Sequence, residues 1–188
     1  MRLNLGCGSN KQTGFVNVDM SPLCAPDVVL NLEDTPWPWP DSSVEEVALI
    51  HVLEHLGQTT EKYFDVLREL YRVCQHGAKI TIVVPHPRHD DFLHDATHVR
   101  AVTVEGLSMF SRKNCEEWIA SGHANTPLAM IVGVDFDVVD SEFRLEEPWS
   151  SELASGALSE KSVMQAIRSN NNVVKETKVI LRVIKENN

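Results

Sequence analysis

The amino-acid sequence predicts an α/β fold, a doubly wound and mostly parallel Rossmann-like sheet with a carboxy-terminal antiparallel strand pair. Short apolar runs alternate with helical patterns through residues 1–85, which is typical of strands buried on both faces and joined by crossover helices. Runs rich in Val and Ile return near the carboxyl end. The chain has 188 residues, 43% of them hydrophobic, so we expect one domain over residues 1–188.

Five strands are predicted in the first half of the chain: Arg2 to Leu5, Phe15 to Asp19, Asp27 to Leu32, Glu46 to His51 and Lys79 to Val84. Between the last two, apolar residues from Tyr63 to Cys74 recur at helical spacing, and Gly77 is expected to end that helix. The first two strands are only nine residues apart, too few for a full crossover helix. We therefore expect the first crossover helix to be shortened or absent.

The second half of the chain predicts a helix from about Arg112 to Ser121, ended by Gly122. Strands over Met130 to Val139 and Val173 to Ile184 are expected to form the antiparallel pair. The intervening residues 149–172 are polar and longer than a hairpin needs, so they predict an insertion, either a helix over Ser159 to Arg168 or a mobile flap.

Charge and composition restrict the class of protein. With 17 basic and 27 acidic residues the net charge is −10, the wrong sign for a nucleic-acid partner. No apolar run approaches a membrane span and no signal-peptide core is present, so we expect a cytoplasmic protein without a membrane partner. The four cysteines form no CxxC pair and are expected to be reduced thiols. The oligomeric state does not follow from the sequence.

A glycine turn and a carboxylate carry the first chemical prediction. The first strand ends in Gly6-Cys7-Gly8, where missing side chains let the backbone turn sharply and approach a ligand. The short connection lacks the helix amino terminus that a pyrophosphate prefers, which argues against NAD or FAD. S-adenosylmethionine has no phosphate and needs an acceptor for its ribose hydroxyls, and Asp19 closes the second strand where that acceptor should lie.

Further motifs resemble the class I S-adenosylmethionine-dependent methyltransferases, in particular a bacterial branch that is methyltransferase type 11-like. Residues 37–44, Trp-Pro-Trp-Pro-Asp-Ser-Ser-Val, are similar to the family's turn before the fourth strand, and residues 51–56 and 67–85 resemble the segments that follow. The match spans about residues 3–85. The resemblance implies that S-adenosylmethionine is the cofactor and that Gly6, Cys7, Gly8 and Asp19 bind it.

The same resemblance implies an adenine contact near the end of the third strand. The family has an acidic residue there, whereas this chain places Asn31 followed by Leu32, and the Asn31 carbonyl can still accept a hydrogen bond. Glu33 or Asp34 serves instead if the register is shifted by two or three residues.

His51 and His55 flank the carboxyl end of the fourth strand, where doubly wound sheets bind their ligands. His51 is a candidate for cofactor binding and also for catalysis, because a neutral imidazole can take a proton from an acceptor during methyl transfer. The alternative is that both histidines only cap or pack.

Residues 86–100 hold half of the eight histidines and predict a loop over the ligand-binding edge. Asp95, Thr97, His98 and Arg100 resemble an Asp-x-Thr-His-x-Arg stretch of the bacterial branch, which favours a lid with His98 and Arg100 facing the acceptor as catalytic residues. A metal site is the alternative, since His94 and His98 with Asp95 would share a helix face as in HExxH. We assign no metal ligand.

The favoured function is an S-adenosylmethionine-dependent methyltransferase that acts on a small-molecule or glycan-linked acceptor. Two alternatives stay open. One is a non-catalytic protein that binds S-adenosylmethionine or S-adenosylhomocysteine. The other is a metal-dependent hydrolase that uses the His and Asp loop over residues 86–100.

Overall fold

A computed structural model of the chain describes residues 1–185, and the expected single domain also covered Glu186 to Asn188, which lie outside the described residues. Seven strands form one sheet in the order β3-β2-β1-β4-β5-β7-β6. Neighbours among the first five strands are parallel, while β7 runs antiparallel to β5 and to β6. The predicted fold class is therefore confirmed. The strands are Arg2–Leu5 (β1), Val16–Asp19 (β2), Val28–Val29 (β3), Val44–Ile50 (β4), Cys74–Pro85 (β5), Phe136–Leu145 (β6) and Val174–Val183 (β7).

Within residues 1–185, seven α-helices connect or flank these strands. They are Thr60–Val73 (α1), Asp90–His94 (α2), Val104–Ser108 (α3), Arg112–Ala120 (α4), Leu128–Val132 (α5), Trp149–Ala154 (α6) and Glu160–Ser169 (α7), with short 3-10 helices over Pro22–Cys24 and Leu53–His55. The helix predicted before Gly122 corresponds to α4, and the helix predicted within residues 149–172 corresponds to α7. None of the described helices has the length and apolar character needed to cross a membrane.

The connection between β1 and β2 contains no helix, because residues 6–15 form only turns and bends. Two buried asparagines hold it instead. The Asn4 side-chain amide donates to Asn17 Oδ1 and to the Asn10 backbone carbonyl, both at 2.9 Å. Asn17 Oδ1 also accepts from the Gln12 backbone amide at 2.7 Å. These bonds fix the glycine turn at the carboxyl end of β1 without a helix beneath it.

Helix α1 packs on the sheet through a continuous apolar face and also holds the turn before β4. The Glu69 carboxylate accepts from the Trp37 backbone amide at 2.7 Å and from the Arg72 guanidinium at 2.8 Å. The Arg72 guanidinium in turn donates to the Trp37 and Trp39 carbonyls, both at 3.0 Å. Arg72 holds the pKa of the Glu69 carboxyl below its usual range, so this network requires an ionised glutamate.

Three predicted elements have wrong boundaries, and one predicted loop contains a helix. The third strand is only Val28–Val29, and residues 31–34 form a turn. Helix α1 ends at Val73, and Gly77, at φ +77°, instead lies in β5 where its register with β4 shifts. The run predicted as a strand from Met130 begins as α5, because Gly133 at φ +79° ends a helix there. Residues 86–100 contain a short helix, α2.

The edge strand β6 is ten residues long, and its register with β7 shifts between Val138 and Asp140. Beyond this bulge, residues 140–144 are exposed. The buried core lies on the other side of the irregularity, where Phe136 packs edge to face on Tyr71 of α1 at 5.6 Å between ring centroids.

Candidate functional site

A cavity of about 220 Å³ opens at the carboxyl ends of β1, β2 and β4. The prediction placed a ligand at this edge of the sheet, and five of the predicted site residues line the cavity together. Its lining consists of Gly6, Asp19, Met20, Leu30, Asn31, Leu32, His51, Val52, His55 and Leu56. A larger cavity of about 630 Å³ lies beside the amino end of β4, away from the carboxyl edge at which open α/β sheets bind their ligands. The smaller cavity is the better candidate site.

The two glycines of the turn have different local roles. Gly6 has φ +66°, and a Cβ at this position would lie 2.4 Å from a methyl carbon of Val52, so the turn packs directly on the segment that follows β4. Gly8 has φ +48°, and a Cβ there would meet nothing within 4 Å. Gly8 therefore faces open space, which leaves room for a ligand against the backbone.

Asp19 closes the glycine turn from the end of β2. One carboxylate oxygen accepts from the Gly8 amide and the other from the Ser21 amide, each at 2.8 Å. Each oxygen retains a second lone pair, so the carboxylate can still accept from a ligand. The Cys7 side chain is buried beside the turn, and burial, followed by the Asp19 charge, raises the pKa of its thiol. Cys7 and Gly8, which the sequence predicted to bind the cofactor, are not among the residues that line the cavity.

The turn after β3 places Asn31 and Leu32 in the wall of the cavity. The Asn31 side-chain oxygen accepts from the Glu33 amide at 3.1 Å, and the buried Leu32 accepts from the Trp37 indole through its carbonyl at 3.0 Å. The Glu33 carboxylate is turned away to the Gly57 amide at 2.7 Å. Asn31, rather than Glu33, is therefore the polar side chain available at this position.

His51 stands at the carboxyl end of β4 in a strained backbone conformation, with φ +56°. Its Nε2 lies 3.0 Å from the Glu176 carboxylate and its Nδ1 lies 3.5 Å from Glu54. Glu54 foremost, and Glu176 in addition, raise the pKa of His51, against the opposing effect of burial. A non-glycine residue held at positive φ is often found where a side chain has a functional role.

His51 also lines a second cavity, of about 520 Å³, on its other side. The charged residues of this cavity come from β6 and β7, and they pair as Arg144 with Glu176 at 2.9 Å and Lys178 with Glu142 at 3.6 Å. His51 thus lines both a mostly apolar cavity, whose wall includes Gly6 and Asp19, and a second cavity that is lined by charged side chains.

His98 and Arg100 follow α2 and lie beside the segment 53–57. The Val99 and Arg100 amides both donate to the Glu54 carbonyl, at 2.9 and 3.2 Å. The Arg100 guanidinium donates to the Gly57 carbonyl at 3.1 Å and stacks 4.2 Å above the Tyr63 ring, whose burial raises the pKa of its hydroxyl to about 12. Arg100 lines a separate cavity of about 260 Å³.

The HExxH-like arrangement suggested for His94, Asp95 and His98 was wrong, because α2 ends at His94 and the two histidines do not share a helix face. His98 instead stacks on Phe92 and packs edge to face on His55, with ring centroids 5.3 and 4.6 Å apart.

Two acidic residues of the site were missed by the sequence analysis. Glu176 reaches His51 from a strand 125 residues away in sequence, for which no local pattern exists. Glu54 is only 1% exposed, and a glutamate inside the apolar run Val52-Leu53 to Leu56 was a recognisable indication of a special role.

No protein-family model and no curated protein matches the chain. Solved structures do. A SAM-dependent methyltransferase from Archaeoglobus fulgidus aligns with 96% of this chain and 85% of its own, at 20% identity and a TM-score of 0.64. One from Methanosarcina mazei covers 98% and 92%, at 14% identity and a TM-score of 0.58. The [4+2]-cyclase SpnF covers 98% and 75%, at 15% identity and a TM-score of 0.54.

The chain therefore has the fold of the class I S-adenosylmethionine-dependent methyltransferases, as the sequence motifs had indicated. At these identities the likeness establishes the fold alone. SpnF shows that a protein described as a cyclase shares it, so the reaction has to be argued from the site.

Proposed function

We propose that the protein is an S-adenosylmethionine-dependent methyltransferase that acts on a small-molecule or glycan-linked acceptor. The observation that carries the proposal is the cavity at the carboxyl edge of the sheet, where the glycine turn, Asp19, Asn31 and His51 converge. In open α/β sheets, ligands bind at this edge. Structural neighbours described as SAM-dependent methyltransferases support the choice of ligand.

The residues present fit this cofactor. The open space at Gly8 leaves the backbone accessible, the Asp19 carboxylate has free lone pairs for ribose hydroxyls, and Asn31 offers an amide to the adenine. The apolar remainder of the wall, which includes Leu30, Leu32 and Leu56, suits the faces of a purine ring. When bound, S-adenosylmethionine would supply a methyl group on a sulfonium, which is a good leaving group.

Because the cofactor carries the activation, the protein has to orient the acceptor and manage one proton. His51 lies between the cofactor cavity and the polar cavity, so a nucleophile placed in the polar cavity would face its imidazole. Its contact with Glu176 fixes the ring orientation. As a neutral imidazole with its proton on Nδ1, His51 would accept the acceptor's proton at Nε2 once the acceptor takes the place of Glu176 there. Arg144 and Lys178 with their carboxylate partners offer both donors and acceptors to a polar, hydroxyl-rich molecule.

His98 and Arg100 were predicted to face the acceptor, and this role stays a prediction. Arg100 has partners within the chain in Gly57 and Tyr63, and it lines a different cavity. Catalytic participation of Arg100 therefore requires its side chain to leave the Tyr63 ring when the acceptor binds.

Calorimetric titration of the purified protein with S-adenosylmethionine, S-adenosylhomocysteine and NAD tests the proposal. We expect the first two to bind and NAD to show no binding. Production of S-adenosylhomocysteine with a panel of small hydroxylated and glycan acceptors then separates an enzyme from a non-catalytic binder. NAD binding, or no binding of either S-adenosyl compound, would contradict the proposal.

A further inference from the structure

Glu54 is the most unusual charged residue in the part of the chain that the structure describes. Its side chain is 1% exposed, and neither carboxylate oxygen has a hydrogen-bond partner. Burying an ionised carboxylate without partners is strongly unfavourable, so a cation is expected to complete its surroundings. His51 approaches one oxygen at 3.5 Å, which leaves the second oxygen unaccounted for.

Two histidines lie next to this carboxylate. Glu54, His55 and His98 each offer one possible ligand atom, and these three atoms lie within 4.8 Å of one another. Two imidazoles and one carboxylate are a common donor set for divalent transition metals, including zinc sites with three protein ligands.

Hydrogen bonds set the protonation of both rings. His98 Nδ1 lies 2.8 Å from the Phe92 carbonyl, which can only accept, so Nδ1 carries the proton. The Thr97 hydroxyl must donate to the Asp95 carboxylate at 2.6 Å, so at 2.9 Å it accepts from His55 Nδ1. In its neutral form each ring therefore keeps the Nε2 lone pair for a ligand, and His98 Nε2 lies 3.8 Å from the Asp95 carboxylate, beyond hydrogen-bond distance. Metal-binding histidines are commonly oriented in this way by a carbonyl or carboxylate behind the ring.

The backbone already joins the two halves of the cluster. The Val99 and Arg100 amides donate to the Glu54 carbonyl, so residues 97–100 are held against the turn that carries Glu54 and His55. Aromatic packing of His98 on Phe92 and His55 explains the ring positions but leaves the buried carboxylate unexplained.

We propose that Glu54, His55 and His98 bind one divalent transition metal ion, with zinc the first candidate, beside the apolar cavity. The metal would hold the segment after α2, which contains His98, against the turn after β4, which contains Glu54 and His55. Because His55 also lines the apolar cavity, it would connect the metal to the cavity wall. This site differs from the His94, Asp95 and His98 arrangement considered from the sequence. It does not depend on the proposed methyl transfer.

The test uses the full chain after removal of metal with a chelator. Titration with Zn²⁺ should reveal one site, and Co²⁺ should give the visible spectrum of an ion bound by nitrogen and oxygen. We expect Glu54→Gln, His55→Ala and His98→Ala each to weaken zinc affinity at least tenfold. Thr97→Val removes the hydroxyl behind His55, and with it the hydrogen bond to Asp95, and should weaken zinc affinity about tenfold to a hundredfold.

His94→Ala is the matched control, because this exposed histidine lies in the same segment outside the cluster, and it should bind zinc like the parent. Circular dichroism and melting curves of the metal-free variants check that each is folded. If the parent binds no zinc, or if the cluster variants and Thr97→Val bind it as tightly as His94→Ala does, the proposal is overturned. Either result leaves the binding of S-adenosylmethionine to be judged separately.

Discussion

Replacing Asp19 by alanine removes the acceptor for two backbone amides and, in the proposed function, for the ribose hydroxyls. The two amide hydrogen bonds, each 2.8 Å long, hold Gly8 and Ser21 in place. A hydrogen bond to a charged group contributes about 1.5 to 3 kcal/mol, and partial exposure puts this pair at the lower end. We therefore expect Asp19→Ala to lower the free energy of unfolding by about 1 to 3 kcal/mol.

Asp19→Ala should also weaken the binding of S-adenosylmethionine. Losing the ribose contacts removes at least one further charged hydrogen bond, which corresponds to roughly a tenfold weaker affinity for S-adenosylmethionine. Calorimetry well below the melting temperature measures that affinity in folded protein. Urea unfolding of the same sample measures the stability.

Asp27→Ala is the matched control for this experiment. The Asp27 carboxylate also accepts two hydrogen bonds, from the backbone and side-chain amides of Asn17 at 2.8 and 3.0 Å, but it does not line the cavity. It should perturb the same part of the sheet and leave the affinity unchanged. If Asp27→Ala weakens binding as much as Asp19→Ala, or if Asp19→Ala binds normally, then Asp19 is not a ribose ligand.

Gly6→Ala should lower the free energy of unfolding by about 2 to 4 kcal/mol, because Gly6 has a positive φ and the added methyl group would clash with Val52. An unchanged midpoint of urea unfolding would refute this packing argument. Glu69→Gln should cost most stability at neutral pH. Because Arg72 lowers the folded-state pKa of Glu69 below 4.5, its contribution is present above that value and lost as pH falls through the folded pKa. Unfolding at stepwise lower pH should therefore bring parent and variant together, and a constant difference would contradict this. His51→Ala should lower turnover about a hundredfold or more, with a smaller effect on cofactor affinity; similar losses in both would make His51 a binding residue only.

The sequence allowed the sheet and half of the lining of the candidate cavity to be predicted because both depend on local patterns. Each buried strand is a run of Val, Leu or Ile that can be recognised from its own stretch of sequence. The glycine turn directly follows β1, and Asp19 is the last residue of β2. Two of the wrong boundaries arose because glycine occurs both in strand bulges and at helix ends. Gly77 permits a bulge in a strand, whereas Gly133 ends a helix.

The remainder of the site could not be predicted because it depends on contacts between distant segments. His98 meets His55 across 43 positions of the chain, and the spacing of His94 and His98 suggested a helix that in fact ends between them. The positive φ of His51 could not be predicted either, because the residues next to it in sequence do not favour this conformation.

The bulged edge strand β6 affects whether two folded molecules can associate through their sheet edges. An edge strand of ten residues offers a row of open amides and carbonyls on which a strand of another molecule could grow. The register shift after Val138 interrupts that row, and Asp140, Glu142 and Arg144 place charges along the exposed part. A second molecule would have to bury these charges to extend the sheet, so β6 is protected against edge-to-edge aggregation at high protein concentration.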